Sequence, residues 1–209
     1  MICWSCQRDA GRGPLCEACG AVQPVPAQAN LFEVLGLPQT HFLEPLAVEE
    51  RFKDLNRKLH PDRFAQKTPR ERRMSLDWTT QVNDAARTLR DPLKRATYLV
   101  RLGGIDVEKE CGTGAMRRLP PEFLEETLEQ REALEEAKAA KDLEKVRALA
   151  QAVEKRSAAI LDRLSSAMRE FESSRERAAL ERAGDALAVL KYFSRFLEEV
   201  EAIEMAALE

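Results

Sequence analysis

Residues 48–64, VEERFKDLNRKLHPDRF, decide the fold of the central part of the chain. Their apolar side chains recur with the spacing of one helix face, at Val48, Phe52, Leu55 and Leu59. Pro61 has no amide hydrogen and disfavours helical backbone at His60, so the helix must end there. The pattern predicts an amphipathic helix followed by a loop in which His60, Pro61 and Asp62 face solvent.

Further helices are predicted on both sides of this segment. A short helix precedes it and is closed near Gly36, and a long one follows, starting near Thr68 with Pro69 at its first position. A fourth helix is predicted to start at Asp91 and to end before Gly103. The apolar stripe of the long helix consists of Met74, Trp78, Val82, Ala85 and Leu89.

The second half of the chain is helical in pattern almost without a break from Pro121 onward. Breaks near Lys141 and around either Ser173 or Gly184 predict three long helices in an antiparallel bundle. The residues expected in its buried seam are Leu143, Val146, Leu149, Val153, Ile160, Leu164, Met168 and Phe171. We therefore expect an all-α protein organised as residues 1–30, 31–104 and 105–209.

The composition is that of a globular protein, with 44% apolar and 33% charged residues among 209. Residues 31–104 contain 14 Lys and Arg against 10 Asp and Glu, a charge of +4, whereas residues 120–209 contain 14 against 21, a charge of −7. This asymmetry favours two partners of different character, and differently charged solvated helices are the alternative.

No apolar run approaches the roughly 20 residues of a membrane-spanning helix, so no membrane partner is expected. Cys3 follows the first residue too closely to leave room for a leader peptide. We expect a cytoplasmic protein of a bacterium, with a processed mitochondrial form as the alternative.

Four cysteines near the start form two Cys-x-x-Cys pairs separated by nine residues, Cys3 with Cys6 and Cys16 with Cys19. Two such pairs can surround one metal ion tetrahedrally, and because all four ligands come from the protein, the site is predicted to be structural. Zinc is the first choice and iron, held as in rubredoxin, is the second. A redox dithiol or disulfide pair is the remaining alternative. Cys111 stands alone and has no predicted role.

Several function classes are disfavoured. The chain has no Walker loop, no Gly-rich dinucleotide fingerprint and no second histidine near His60, and four cysteine ligands leave no open position for metal catalysis. The chain is therefore not expected to be an enzyme. Nucleic-acid binding is not expected either, because the cysteine segment is neutral and the tail is acidic.

A family resemblance extends over nearly the whole chain from Asn30 onward. It is carried by LFEVLGLP at residues 31–38, RFKDLNRKLHPDRFA at 51–65, VNDA at 82–85, PLKRATYL at 92–99 and FLEETLEQRE at 123–132. Together these segments resemble the HscB family, the J-domain co-chaperones of iron–sulfur cluster biogenesis. The four-cysteine extension is similar to that of the mitochondrial members of this family.

The resemblance implies a J-domain over residues 31–104 that docks on a heat-shock ATPase of the seventy-kilodalton class, similar to DnaK or HscA. His60, Pro61 and Asp62 would trigger ATP hydrolysis in that partner. The basic residues that suit docking on an acidic surface are Lys53, Arg57 and Arg63. The alternative for these charges is an ordinary solvated helix face.

The resemblance also implies that the bundle over residues 105–209 binds the scaffold protein on which the cluster is built. The matching positions are Leu124, Leu128, Glu129, Glu132 and Tyr192, while Glu125 stands where many members carry an apolar residue. Spacing of four residues places positions 124, 128 and 132 on one helix face. The alternative is that the two leucines belong to the core of the bundle.

Two further points stay open at the level of sequence. The second functional hypothesis is a general J-protein co-chaperone in protein folding, whose tail binds a different client. Both a monomer and a weak dimer are compatible with the sequence.

Overall fold

The computed structural model describes residues 1–11, 13–107 and 121–207, so Cys111 lies outside the described residues. The helices are α1 (Leu31–Leu35), α2 (Pro45–Leu59), α3 (Pro69–Arg90), α4 (Pro92–Leu102), α5 (Pro121–Ala139), α6 (Leu143–Ser174) and α7 (Arg177–Ala206). In the described part of the chain, strand-like pairing is limited to two isolated bridges near the N-terminus. The predicted all-α class is confirmed.

The chain divides into two compact units, Met1–Arg95 and Ala96–Glu209. The expected boundaries after residues 30 and 104 stay predictions. Among the helices of the described ranges, none combines the length and the apolar character needed to cross a membrane.

Two local features of the sequence set the start and the end of helix α1. Asn30 caps its start in a reciprocal capping box with Glu33, and Gly36 ends it in the left-handed conformation at φ 64°. The Arg51 Nε of α2 donates to the Leu35 carbonyl at 2.8 Å. A Cβ at Gly36 would be strained by the positive φ and would lie 2.6 Å from the Arg51 guanidinium, which would have to move.

Helix α3 starts where the sequence predicts. Thr68 and Glu71 form a capping box, and the hydrogen bond from the Thr68 side chain lowers the pKa of Glu71. The predicted stripe is buried at Met74, Trp78, Val82, Ala85 and Leu89. Past the end of α3, the buried Arg95 donates to the Leu89 carbonyl at 2.5 Å and to the His41 carbonyl at 2.7 Å. Desolvation lowers the pKa of Arg95, although Asp91 opposes this shift.

In the second unit, α6 and α7 run antiparallel, since Arg147 pairs with Glu204 at one end and Glu170 pairs with Arg182 at the other. The break between α6 and α7 directly follows Ser173 and Ser174, which is one of the two predicted positions. The other, Gly184, is buried inside α7. Helix α5 packs on both and completes a core of Leu134, Ala137, Val146, Val153, Phe193, Phe196 and Val200. Of the predicted seam, the fully buried members are Val146, Val153, Leu164 and Met168.

Candidate metal centre and docking surfaces

The two Cys-x-x-Cys pairs fold as matching knuckles. In each, the amide four residues beyond the first cysteine donates to the carbonyl oxygen of that cysteine, at 3.1 Å for Cys3 and 2.8 Å for Cys16. The residues that supply these amides, Gln7 and Gly20, have positive φ of 60° and 72°. This turn brings the second cysteine of each pair back towards the first.

The four sulfur atoms converge. All lie within 4.8 Å of one another, with 3.7 Å between the sulfurs of Cys3 and Cys19 and 3.8 Å between those of Cys6 and Cys16. A metal with bonds of about 2.3 Å to four thiolates in a tetrahedron would hold them about 3.8 Å apart. A disulfide needs about 2.05 Å, so these are free thiols in a cluster that can hold a metal ion.

Hydrogen bonds and burial shift the pKa values of Cys3 and Cys19 in opposite directions. Burial opposes ionisation of Cys3, but the backbone amides of Cys6 and Ser5, together with the neighbouring thiols, lower its pKa to about 6. At Cys19 the backbone amide of Ala21 lowers the pKa, whereas desolvation and the other three thiols raise it to about 11. These hydrogen bonds therefore favour the thiolate of Cys3 over that of Cys19, and a bound metal ion would hold all four groups as thiolates.

Residues 60–62, called the corner from here on, follow the end of α2. His60 has the extended backbone that precedes a proline, at φ −53° and ψ 131°, and the connection between α2 and α3 that follows contains one 3₁₀ turn, Pro61–Phe64. Phe64 is buried and anchors the turn. The side chain of His60 is 50% exposed and that of Asp62 is 90% exposed.

The imidazole of His60 has a defined orientation within the corner. The Asp62 amide donates to His60 Nδ1 at 3.3 Å. The Asp62 carboxylate also lies 3.4 Å from the same nitrogen, so both the amide and the side chain of Asp62 face the ring.

A hydroxyl group of α3 holds the end of α2 in place. Ser75 Oγ donates to the Leu59 carbonyl at 2.7 Å. Thr79 Oγ1 lies 3.3 Å from the same oxygen, but its single hydrogen has a closer acceptor in the Ser75 carbonyl at 2.9 Å. The proline at position 61 ends the helix, and Ser75 is the main donor to a carbonyl at its terminus. Neither hydroxyl was expected from the sequence; their signal is a pair of polar residues four positions apart beside the apolar stripe of α3.

The three predicted docking residues lie on α2 and in the turn that follows it. Lys53 and Arg57 are exposed and four residues apart on α2, and Arg63 Nη1 donates to the Arg57 carbonyl at 3.2 Å. Hydrogen bonds from Lys58 and, more weakly, Arg57 lower the pKa of Asp54, which keeps this carboxylate charged among the cations. Arg57 and Arg63 thus lie together next to the corner, and Lys53 lies one turn before Arg57 on the same helix.

The predicted residues of α5 face outward. Leu124 is 48% and Leu128 62% exposed, so the alternative that they belong to the bundle core is wrong. Glu129 and Glu132 are also exposed. The side of α5 that packs inward carries Thr127, Leu134 and Ala137. Leu124, Leu128, Glu129 and Glu132, with Tyr192, are called the α5 face below.

Tyr192 reaches α5 from α7. Its hydroxyl donates to the Thr127 carbonyl at 2.9 Å, and its ring meets Phe123 edge to face with 5.7 Å between centroids. The guanidinium of Arg131 lies over the Tyr192 ring, 5.9 Å from its centroid. The half-buried Tyr192 therefore supports the helix next to Leu128.

Comparison with known proteins places the chain in one family. A family model described as the HSCB C-terminal oligomerisation domain matches residues 119–201. A co-chaperone protein HscB homolog of Burkholderia multivorans is 33% identical over 173 residues, which are 83% of this chain and 95% of that protein.

Solved structures agree. The crystal structure of human co-chaperone protein HscB matches at a TM-score of 0.81 with 27% identity, covering 99% of this chain and 100% of that one. Chaperone HscB from Vibrio cholerae matches at a TM-score of 0.67 with 32% identity, covering 85% and 99%. The chain, with its four-cysteine cluster and its helical units, therefore belongs to the HscB family of co-chaperones.

Proposed function

We propose that this HscB-family co-chaperone stimulates ATP hydrolysis by a heat-shock chaperone of the seventy-kilodalton class through the corner. The observation that carries the proposal is the presentation of His60 and Asp62 as exposed side chains on a backbone fixed by Pro61. A preorganised polar surface loses little conformational entropy when a partner binds. Hydrolysis itself belongs to the partner, and this chain acts as a trigger without catalytic residues of its own.

Docking would use the cations beside the corner. Lys53, Arg57 and Arg63 are exposed, and Asp54 holds Arg57 through a hydrogen bond of 3.3 Å. An acidic surface on the chaperone would attract this group over a distance of about one Debye length, roughly 8–10 Å. Charge complementarity would then set the rate and the orientation of docking.

The α5 face would bind an iron–sulfur cluster scaffold protein and so deliver it to the chaperone. Its centre is apolar, with Leu124 and Leu128 exposed, and its edge is acidic at Glu129 and Glu132. Interfaces commonly have this form, in which a few buried apolar anchors supply most of the binding energy and a polar rim excludes water.

The four-cysteine cluster would hold zinc in a structural role. Four thiolates suit a borderline-soft ion of tetrahedral preference and leave no position open for substrate. Iron fits the same sulfur geometry, so elemental analysis of the purified chain decides between them. We expect one zinc per chain, lost when Cys3 and Cys16 become serine.

The test of the corner is His60→Gln in a single-turnover ATPase assay with the partner chaperone. We expect loss of stimulation, because glutamine lacks the ring and carries its acceptor one bond further from the backbone than Nδ1, which accepts from the Asp62 amide. Arg87→Gln is the matched control, since Arg87 is exposed on α3 and forms its ion pair with Asp84 of the same helix. Full stimulation by His60→Gln would remove the basis of the proposal.

The test of the tail is a pull-down with a bacterial iron–sulfur scaffold protein. We expect capture by the wild-type chain and by Leu161→Ala, which alters a leucine of α6 that is 40% exposed. A chain that stimulates the chaperone without capturing the scaffold would instead support a general J-protein with another client.

A further inference from the structure

Gln23 lies just after the second knuckle, in a segment that was expected to be a linker. It is 2% exposed, and its Nε2 donates to Cys3 Sγ at 3.3 Å and to the Ala21 carbonyl at 2.8 Å. Both partners are acceptors, which fixes the orientation of the amide group. Its Oε1 finds no hydrogen-bond partner among the described residues, so the side-chain hydrogen bonds of this buried residue are all donated by Nε2.

The main chain of Gln23 connects the cysteine cluster to a helix. Its amide donates to the Pro14 carbonyl at 2.8 Å, and its carbonyl accepts from Trp78 Nε1 of α3 at 2.7 Å. Trp78 is 5% exposed and belongs to the apolar stripe of α3. One buried residue therefore contacts a sulfur of the cluster, the second knuckle and α3.

A second contact joins the cysteine segment to α3. Trp4, inside the first knuckle, donates from Nε1 to the Val22 carbonyl at 2.6 Å. The guanidinium of Arg70, in the first turn of α3, lies 4.4 Å from the centroid of the Trp4 ring. The cysteine segment is thus packed against α3 at Trp78 and at Arg70.

We infer that Gln23 positions the Cys3 sulfur for metal binding and transmits metal occupancy to α3 through Trp78. Hydrogen bonds to ligand atoms orient the ligands and adjust their charge, and here the amide would stabilise the thiolate of Cys3. A segment this short depends on the metal for its folding, so the free energy of metal binding also stabilises the helix hydrogen-bonded to it. This role goes beyond chaperone stimulation and scaffold binding.

The positioning role is tested with Gln23→Met, which keeps the length of the side chain and removes both donors. In the full chain loaded with Co²⁺, loss of the N–H···S bond should shift the thiolate-to-cobalt charge-transfer band to longer wavelength. Competition with a chromophoric chelator should show metal affinity reduced about tenfold or more. Gln66→Met, at an exposed position of the same unit, is the matched control and should change neither.

The link to α3 is tested by hydrogen exchange of the wild-type full chain before and after metal removal. We expect the amides around Trp78 to exchange about fivefold faster without metal, the equivalent of one net hydrogen bond. In Trp78→Phe, which lacks the indole donor but keeps all four cysteines, this dependence on metal should shrink.

Several results would overturn the inference. They are an unchanged cobalt spectrum and affinity in Gln23→Met, protection of α3 that ignores the metal, or a dependence undiminished in Trp78→Phe. The inference rests on the proposed metal site, so a wild-type chain that takes up no metal would overturn both. Neither measurement uses the chaperone or the scaffold, so each of the other outcomes would overturn the role of Gln23 alone and leave the proposed function standing.

Discussion

The corner and the α5 face are both exposed, but they are built in opposite ways. At the corner, a proline sets the backbone, a buried Phe64 anchors the turn, and the exposed groups are polar. On α5, two exposed leucines stand on an acidic helix that the hydroxyl of Tyr192 supports beside Leu128. The comparison teaches that a polar site can be built by local backbone chemistry, whereas an apolar site is defined by what the core leaves uncovered.

The largest expected effect comes from removing the apolar centre of the α5 face. Leu124→Ala combined with Leu128→Ala should weaken scaffold binding by about 2–4 kcal/mol, because anchors of this kind supply most of an interface energy. Stability should change by no more than about 0.5 kcal/mol, since both side chains are exposed. Calorimetric titration and chemical denaturation measure the two quantities, and Leu161→Ala is the control. A large loss of stability would mean that the leucines pack in the core.

A change behind the corner should have the next largest effect. Ser75→Ala removes the closer of the two hydroxyl donors to the buried end of α2, and we expect a loss of about 1–3 kcal/mol in the free energy of unfolding. The control is Ser173→Ala, at an exposed position of α6. Chemical denaturation checks both variants. Unchanged stability would show that Thr79 alone satisfies the Leu59 carbonyl.

A smaller effect is expected at Tyr192, the member of the α5 face that belongs to α7. Tyr192→Phe removes the hydrogen bond to the Thr127 carbonyl and should lower the free energy of unfolding by about 1 kcal/mol. Scaffold affinity should change little, because the phenyl ring keeps its contact with Phe123. Thermal unfolding and titration distinguish the two quantities. A strong loss of binding with normal stability would instead place the Tyr192 hydroxyl in direct contact with the scaffold.

The smallest expected effect is a difference in salt dependence between chaperone docking at the corner and scaffold binding at the α5 face. Raising the ionic strength from 50 to 300 mM should weaken chaperone docking about two- to fivefold, because Lys53, Arg57 and Arg63 are exposed charges. Scaffold binding through an apolar centre should depend less on salt. Surface plasmon resonance at several salt concentrations measures both, and equal dependence would erase the proposed contrast.

The helix ends were predictable because their signals are local. Gly36 and Thr68 act through their own backbone and side chains within three or four residues, and the structure has both where expected. The choice between Ser173 and Gly184 was different. Gly184 is buried within α7, and a glycine in a packed helix is indistinguishable in sequence from a glycine that ends one.

The candidate sites also contain features that local sequence predicts and features that depend on distant residues. The four cysteines were predictable as a cluster from their spacing, and the sulfurs do converge. The burial of Gln23 was not predictable, because its partner Trp78 lies 55 residues away in the chain. The 3₁₀ turn at the corner likewise depends on burial of Phe64, which no local pattern reveals.

By itself, the sequence determined the all-α class, the cysteine cluster and the end of α2 at the corner, since helix periodicity, thiol spacing and proline stereochemistry act over a few residues. Only the tertiary structure decided that Leu124 and Leu128 face outward, that Ser75 holds the end of α2 and that Gln23 joins the cluster to α3. The physical reason is that burial and long-range hydrogen bonding depend on which distant elements cover a residue, and a spacing of residues along one helix cannot specify its neighbours.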